Sequence, residues 1–130
     1  MKIIYEYPPN IEKIREHFPI KSGIIFTYAG ELYNPDKGEI DDALMAHEET
    51  HVVQQGDDPD KWWDRYFVDD AFRLEQETEA YRNQYKYSLE NYNRAGRKRL
   101  LRKISKDLSS PLYGNLITEE EAKEAIINNK

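Results

Sequence analysis

Cysteine is absent from the 130-residue chain. That excludes disulfides and thiolate metal ligands, and fits a reducing compartment. No apolar run approaches the roughly 20 residues that a membrane-spanning helix needs. The opening Met1-Lys2-Ile3-Ile4-Tyr5-Glu6 is too short an apolar stretch for a secretory signal. The expectation is a cytoplasmic protein with no membrane partner. An excess of basic residues is also missing. With 19 Lys and Arg against 25 Asp and Glu, the formal net charge is −6, which argues against general nucleic-acid binding because phosphate contacts need a basic surface. Histidine is scarce, at three residues, so any spacing between histidines carries information.

The length fits one domain over residues 1–130. Such a chain buries roughly two thirds of its unfolded surface and needs no metal merely to fold. A metal site here therefore points to chemistry more than to scaffolding.

Along the chain, Lys2 to Tyr7 alternates around β-formers and stops at Pro8-Pro9, which predicts a short strand. Asn10 is placed to cap a helix over Ile11 to His17, ended by Pro19. Gly23 to Tyr28 is a second predicted strand, Ala29-Gly30 a turn, and Glu31 to Tyr33 its continuation. From Asp41 or Asp42 the period becomes helical, with Leu44, His47, Thr50 and His51 on one stripe and Gly56 placed to end it. Further helices are expected over Lys61 to Phe67, Asp70 to Tyr92 and Arg94 to Leu108. Thr118-x-x-Glu121 is a capping box for a last one, to about Ile127. The expected fold class is α+β: a small N-terminal antiparallel strand layer packed on a mainly helical domain.

The chemistry concentrates at His47-Glu48-Glu49-Thr50-His51, an H-E-x-x-H sequence on a predicted helix. Residues four apart on a helix are neighbours, about 5–6 Å between Cβ atoms, so both imidazoles can reach one ion. Glu48 projects beside the first histidine, where a carboxylate can accept a proton from metal-activated water. A tetrahedral catalytic zinc needs a third protein ligand and an open position. The next long helix offers Glu75, Glu77 and Glu79. Glu77 ranks first because it shares a stripe with Leu74, Ala80, Tyr81 and Gln84, apolar on one side and small on the other, as expected where helices pack closely. Glu75 ranks second and Glu79 third, both on more charged faces.

With Glu77-x-x-Ala80, the motif resembles the gluzincin metallopeptidases, in which an H-E-x-x-H helix faces a second helix bearing a glutamate ligand. More closely, AHEETHVVQQ (46–55), GDDPDKWWDRY (56–66), FRLEQETEAY (72–81) and SSPLYGN (109–115) are similar to small phage- and prophage-encoded metallopeptidases. The resemblance implies a zincin-like fold and a zinc ion on His47, His51 and Glu77. It further implies Glu48 as general base, a peptide or protein substrate, and an edge strand lining the cleft, for which Ile24 to Tyr28 or Glu31 to Tyr33 are the candidates. Stricter forms of the signature carry an uncharged residue where Glu49 stands; Glu49 projects away from the histidine stripe. A non-catalytic phage-associated structural or interaction protein that keeps a zinc site is the competing expectation.

Other features carry less. Tyr81, Tyr85 and Arg82 are candidates for stabilising an oxyanion. His17 is expected to be structural, at a helix end where a cation is favoured. Trp62, Trp63, Tyr66 and Phe67 are expected in the core. The run from Arg94 to Lys106 gives a basic face in an acidic protein, expected to be solvated and to offset acidic neighbours.

Overall fold

Local capping chemistry sets most of the element boundaries. A computed structural model describes residues 1–128. The elements are β1 (Ile3–Ile4), α1 (Ile11–His17), β2 (Phe26–Tyr28), β3 (Glu31–Tyr33), α2 (Asp42–Gln55), α3 (Pro59–Val68), α4 (Asp70–Asn91), α5 (Arg94–Leu108), a 3₁₀ turn at Pro111–Tyr113, and α6 (Glu119–Ile127). The side chains of Asp41, Asp58, Asp69 and Asn93 each accept from a backbone N–H three residues on, at the starts of α2 to α5. The reciprocal capping box of Thr118 and Glu121 opens α6.

Helices dominate and the strands form one small N-terminal sheet of order β1-β3-β2, an α+β arrangement as expected. The sheet is mixed, which corrects the expectation of a purely antiparallel layer. Ala29 and Gly30, at φ 52° and 79°, close a two-residue hairpin that makes β2 and β3 antiparallel. β1 instead pairs in parallel with β3, Ile3 opposite Leu32, because the excursion through α1 returns the chain in the same direction. β1 and β2 are shorter than the alternating sequence suggests.

Two apolar clusters flank the centre. One gathers Ile14, Phe26, Tyr33 and the α3 aromatics Trp62, Trp63, Tyr66 and Phe67. The other gathers Tyr81, Leu101, Ile104, Leu108, Ala122 and Ile126. The four α3 aromatics are thus core residues. His17 stacks on Phe67, ring centroids 4.5 Å apart, with its Nδ1 2.9 Å from the Lys13 carbonyl. α2 and α4 form the most extensive helix pair, and the H-E-x-x-H stripe lies between them. Among the described residues, no helix is long and apolar enough to cross a membrane.

Candidate metal centre

α2 carries His47 and His51 one turn apart, and their ring nitrogens converge on a carboxylate from α4. His47 Nε2 and His51 Nε2 are 3.2 Å apart; Glu77 Oε1 lies 3.3 Å from the first and 3.2 Å from the second. All three residues are buried. Of the three glutamates on this stretch of α4, the structure brings only Glu77 to the histidines; Glu75 and Glu79 are exposed, and Glu79 accepts a hydrogen bond from Gln54 at 2.8 Å. Glu49 is exposed, on the far side of α2 from the cluster.

The hydrogen bonds behind the rings decide what the cluster offers. His47 Nδ1 is 3.1 Å from Gln84 Oε1, and His51 Nδ1 is 2.8 Å from Gln54 Oε1. An amide oxygen only accepts, so both Nδ1 atoms carry the proton. The Gln54 orientation is fixed independently, since its Nε2 donates to the Gln76 carbonyl at 3.0 Å and to Glu79. In the neutral rings, both Nε2 atoms then present lone pairs. Glu77 is oriented by Tyr66, whose hydroxyl donates to Oε2 at 2.5 Å, while the buried Glu77 Oε1 has no polar partner among the described residues besides the two Nε2 atoms it faces.

Three lone-pair donors 3.2–3.3 Å apart repel one another unless a cation sits among them. Zinc bonds of about 2.0–2.1 Å in tetrahedral geometry place ligand atoms about 3.3 Å apart. The residues therefore fit a zinc-sized divalent ion, with each histidine held by an outer partner in the manner of metal ligands. Without a metal a proton takes that role. Burial alone would lower the pKa of His51, but the Glu77 charge and hydrogen bond, with Glu48 and Gln54, hold it up at about 9. Burial would raise Glu77; the facing His51 and His47 hold it well below the usual carboxylate range.

Glu48 is also buried, and its Oε2 accepts from the Thr27 hydroxyl at 2.6 Å. Among the described residues Oε1 accepts no hydrogen bond. The Tyr81 ring stands edge-on to His47, centroids 4.4 Å apart, and its hydroxyl shares a 2.8 Å hydrogen bond with that of Tyr113. Arg82 points elsewhere: its Nε donates to the Ala125 carbonyl of α6 at 2.7 Å. Tyr85 packs against the second apolar cluster.

A cavity of about 480 Å³ opens over the cluster, between the segment leading into β2 on one side and α5 with the 3₁₀ turn on the other. Of the two strand candidates for its edge, β3 is interior to the sheet and has no free edge. β2 is the edge strand and borders the cavity, but the Thr27 carbonyl already accepts from Gln55 Nε2 at 2.8 Å and Trp63 Nε1 at 3.1 Å. Comparison with protein-family models, with curated proteins and with solved structures finds no match to this chain.

Sequence reasoning missed Thr27, Gln54 and Tyr66 as supports of the site. Gln54 lies three residues after His51, within reach on the same helix. Thr27 and Tyr66 come from other elements, and no spacing in the sequence marks them.

Proposed function

We propose that the chain is a zinc-dependent hydrolase of peptide bonds, similar in the construction of its site to the gluzincin metallopeptidases. His47, His51 and Glu77 would hold the ion and Glu48 would act as general base. The observation that supports this most is the triangle of inward-facing donor atoms, in which the buried Glu77 Oε1 faces both Nε2 atoms. A bound divalent ion would supply Lewis acidity, polarising a carbonyl and lowering the pKa of water towards about 7.

The protein groups do the rest. Gln84 and Gln54 hold the two imidazoles in the tautomer that frees Nε2. Tyr66 fixes the Glu77 carboxylate. Thr27 anchors Glu48 through Oε2 and leaves Oε1 to take a proton from water and return it to the leaving amine. The Trp62 indole, its ring centroid 5.5 Å from that of His51, lines the cavity beside the cluster.

Metal analysis of protein purified without chelator or histidine tag tests the site: one zinc per chain is expected. Glu48→Gln is expected to retain zinc and to lose hydrolysis of a peptide library by roughly 10²–10⁴-fold. Unchanged hydrolysis would remove Glu48 from the role. A second reading is a non-catalytic structural or interaction protein, phage-associated by the resemblance, that keeps zinc for stability. The burial of the whole cluster between the two apolar clusters favours it. Under that reading wild-type and Glu48→Gln proteins both bind zinc and neither cleaves.

A further inference from the structure

Two phenols in the wall of the cleft are bonded to each other. Tyr81, on α4 one turn beyond Glu77, and Tyr113, in the 3₁₀ turn, both border the cavity, with their hydroxyl oxygens 2.8 Å apart. Each hydroxyl carries one proton at neutral pH, the ordinary phenol pKa being about 10. One hydrogen bond joins them, and among the described residues neither hydroxyl makes another. Whichever oxygen accepts therefore keeps a proton with no acceptor in the protein. A donor left unpaired away from water is costly, and the cavity is where this one can find an acceptor.

The surroundings of the pair decide its direction. The Tyr81 ring stands edge-on to His47, centroids 4.4 Å apart. The Tyr113 ring lies 6.3 Å from that of Tyr81 and packs against both apolar clusters. Tyr81 is thus the phenol beside the metal cluster, and its proton is free when Tyr113 donates to it. Tyr113 is held for that task. Arg73, buried on α4, donates from Nε to the Tyr113 carbonyl at 3.0 Å and from Nη1 to the Tyr66 carbonyl at 2.6 Å. One guanidinium ties the turn bearing Tyr113 to the helix whose Tyr66 hydroxyl holds Glu77. A donor fixed before a reaction needs no reordering during it.

We propose that Tyr81 hydrogen-bonds the carbonyl oxygen of a bound substrate as that oxygen gains charge, and that Tyr113 is a positioning residue that donates to Tyr81. The proposal rests on the hydrolase reading of the cleft. As water attacks the carbonyl carbon and gives a proton to Glu48 Oε1, the carbonyl π pair moves onto oxygen. The Tyr81 O–H bonds to that oxygen and keeps its proton. When the C–N bond breaks, its electron pair stays on nitrogen, the C=O bond reforms, and Glu48 returns its proton to the amine. Hydrogen bonds in a chain polarise one another, so the bond from Tyr113 makes Tyr81 a stronger donor.

The test measures, by fluorescence anisotropy, the affinity of zinc-loaded protein for two labelled peptides of one apolar sequence. One is the amide; the other carries a phosphinate in place of one peptide bond and mimics the charged tetrahedral species. The wild type is expected to bind the phosphinate at least about 100-fold tighter than the amide. Tyr81→Phe is expected to weaken the phosphinate about 100-fold and to leave the amide unchanged. Tyr113→Phe should cost less, roughly tenfold, since it removes only the hold on Tyr81 and its polarisation. The double variant should lose no more than Tyr81→Phe alone, because Tyr113 acts through Tyr81. Tyr85→Phe, whose ring packs against the second apolar cluster, should change nothing. Equal zinc content and thermal midpoints exclude misfolding. For any peptide that the wild type cleaves, Tyr81→Phe should lower kcat with KM unchanged. Phosphinate and amide bound alike by the wild type, a preference that survives Tyr81→Phe, or losses that add in the double variant would each overturn the proposal. A phosphinate preference lost in Tyr81→Phe, in a protein whose wild type cleaves nothing, would uphold the pair and remove the hydrolase reading. Cleavage untouched by Tyr81→Phe would remove the pair alone.

Discussion

Tyr66 shows how much one hydroxyl can control. Its ring belongs to the core, stacked on Trp62 with centroids 4.8 Å apart, while its hydroxyl is the sole hydrogen-bond donor to Glu77 Oε2 among the described residues. Tyr66→Phe keeps the packing and removes only the donor. Zinc affinity, measured by competition with a chromogenic chelator, is expected to fall about 10–100-fold, with Glu75→Ala unchanged as the control. A loss from Glu75→Ala equal to that from Glu77→Ala would overturn the choice of ligand. Protons should report on the same cluster. In the metal-free protein the pKa of His51 is raised from 6.5 to about 9 and that of Glu77 is lowered from 4.5. The raised histidine contributes stability that is complete below 6.5 and lost as pH rises through about 9. The lowered carboxylate contributes stability that is present above 4.5 and lost as pH falls. The zinc-free protein should therefore show its highest urea midpoint between pH 4.5 and 6.5 and a decline towards pH 9. Because the ion displaces the His51 proton, zinc binding near pH 7.5 should release about one proton, measurable by calorimetry in buffers of different ionisation enthalpy.

At the scale of the element, Gly56 decides where the histidine stripe stops. It has φ 56° and ψ −133°, a conformation almost confined to glycine, and its N–H still bonds back to the Val52 carbonyl. A Cβ at this position would meet no atom within 4 Å, so the cost of Gly56→Ala is backbone strain alone. A loss of about 1–3 kcal/mol in chemical denaturation is expected; a neutral result would show that the turn into α3 can relax. Such signals are why the helices were legible. Asp41, Gly56 and Thr118 act on backbone groups a few residues away, so the bounds of α2 and the start of α6 could be read from the chain; Asn10, expected to cap α1, makes no side-chain capping hydrogen bond, although α1 spans Ile11–His17 as expected. The stripe through Glu77, Ala80 and Gln84 likewise marked the buried face of α4. The strands were less legible because their pairing is not local. β1 exists through the bonds that Lys2 and Ile4 carbonyls accept from Leu32 and Asn34, and its parallel direction depends on the route of the chain through α1. Arg73 was opaque for the same reason. Buried on α4, it donates to the carbonyls of Tyr66 and Tyr113, partners 7 and 40 residues away. The local pattern shows only a charge on an amphipathic helix.

For the whole molecule, the metal cluster sits where two halves of the structure meet, and that position sets what metal removal should do. α2 packs against the strand layer and α3, whose apolar cluster includes Ile14, Phe26 and Trp63; α4 packs against α5 and α6, around Ile104 and Leu108. His47 and His51 come from the first of these helices and Glu77 from the second, so a shared ion would tie them together. Neither apolar cluster includes a ligand, and each keeps its burial without the ion. The chelated protein is therefore expected to remain folded, with unchanged far-ultraviolet circular dichroism, and to unfold in one cooperative transition. Under the proposed function, zinc would bind the folded chain far better than an unfolded one that has lost the cluster. At a free concentration about 1,000 times the dissociation constant, it should add about 4 kcal/mol. For a chain of this size that corresponds to a rise of roughly 10–25 °C in the thermal midpoint. Replacing either histidine by Ala should abolish the rise, while Glu48→Gln should leave it intact, because Glu48 is outside the triangle. A zinc-dependent midpoint that survives His51→Ala would place the ion elsewhere and detach the chemistry of Glu48 from it.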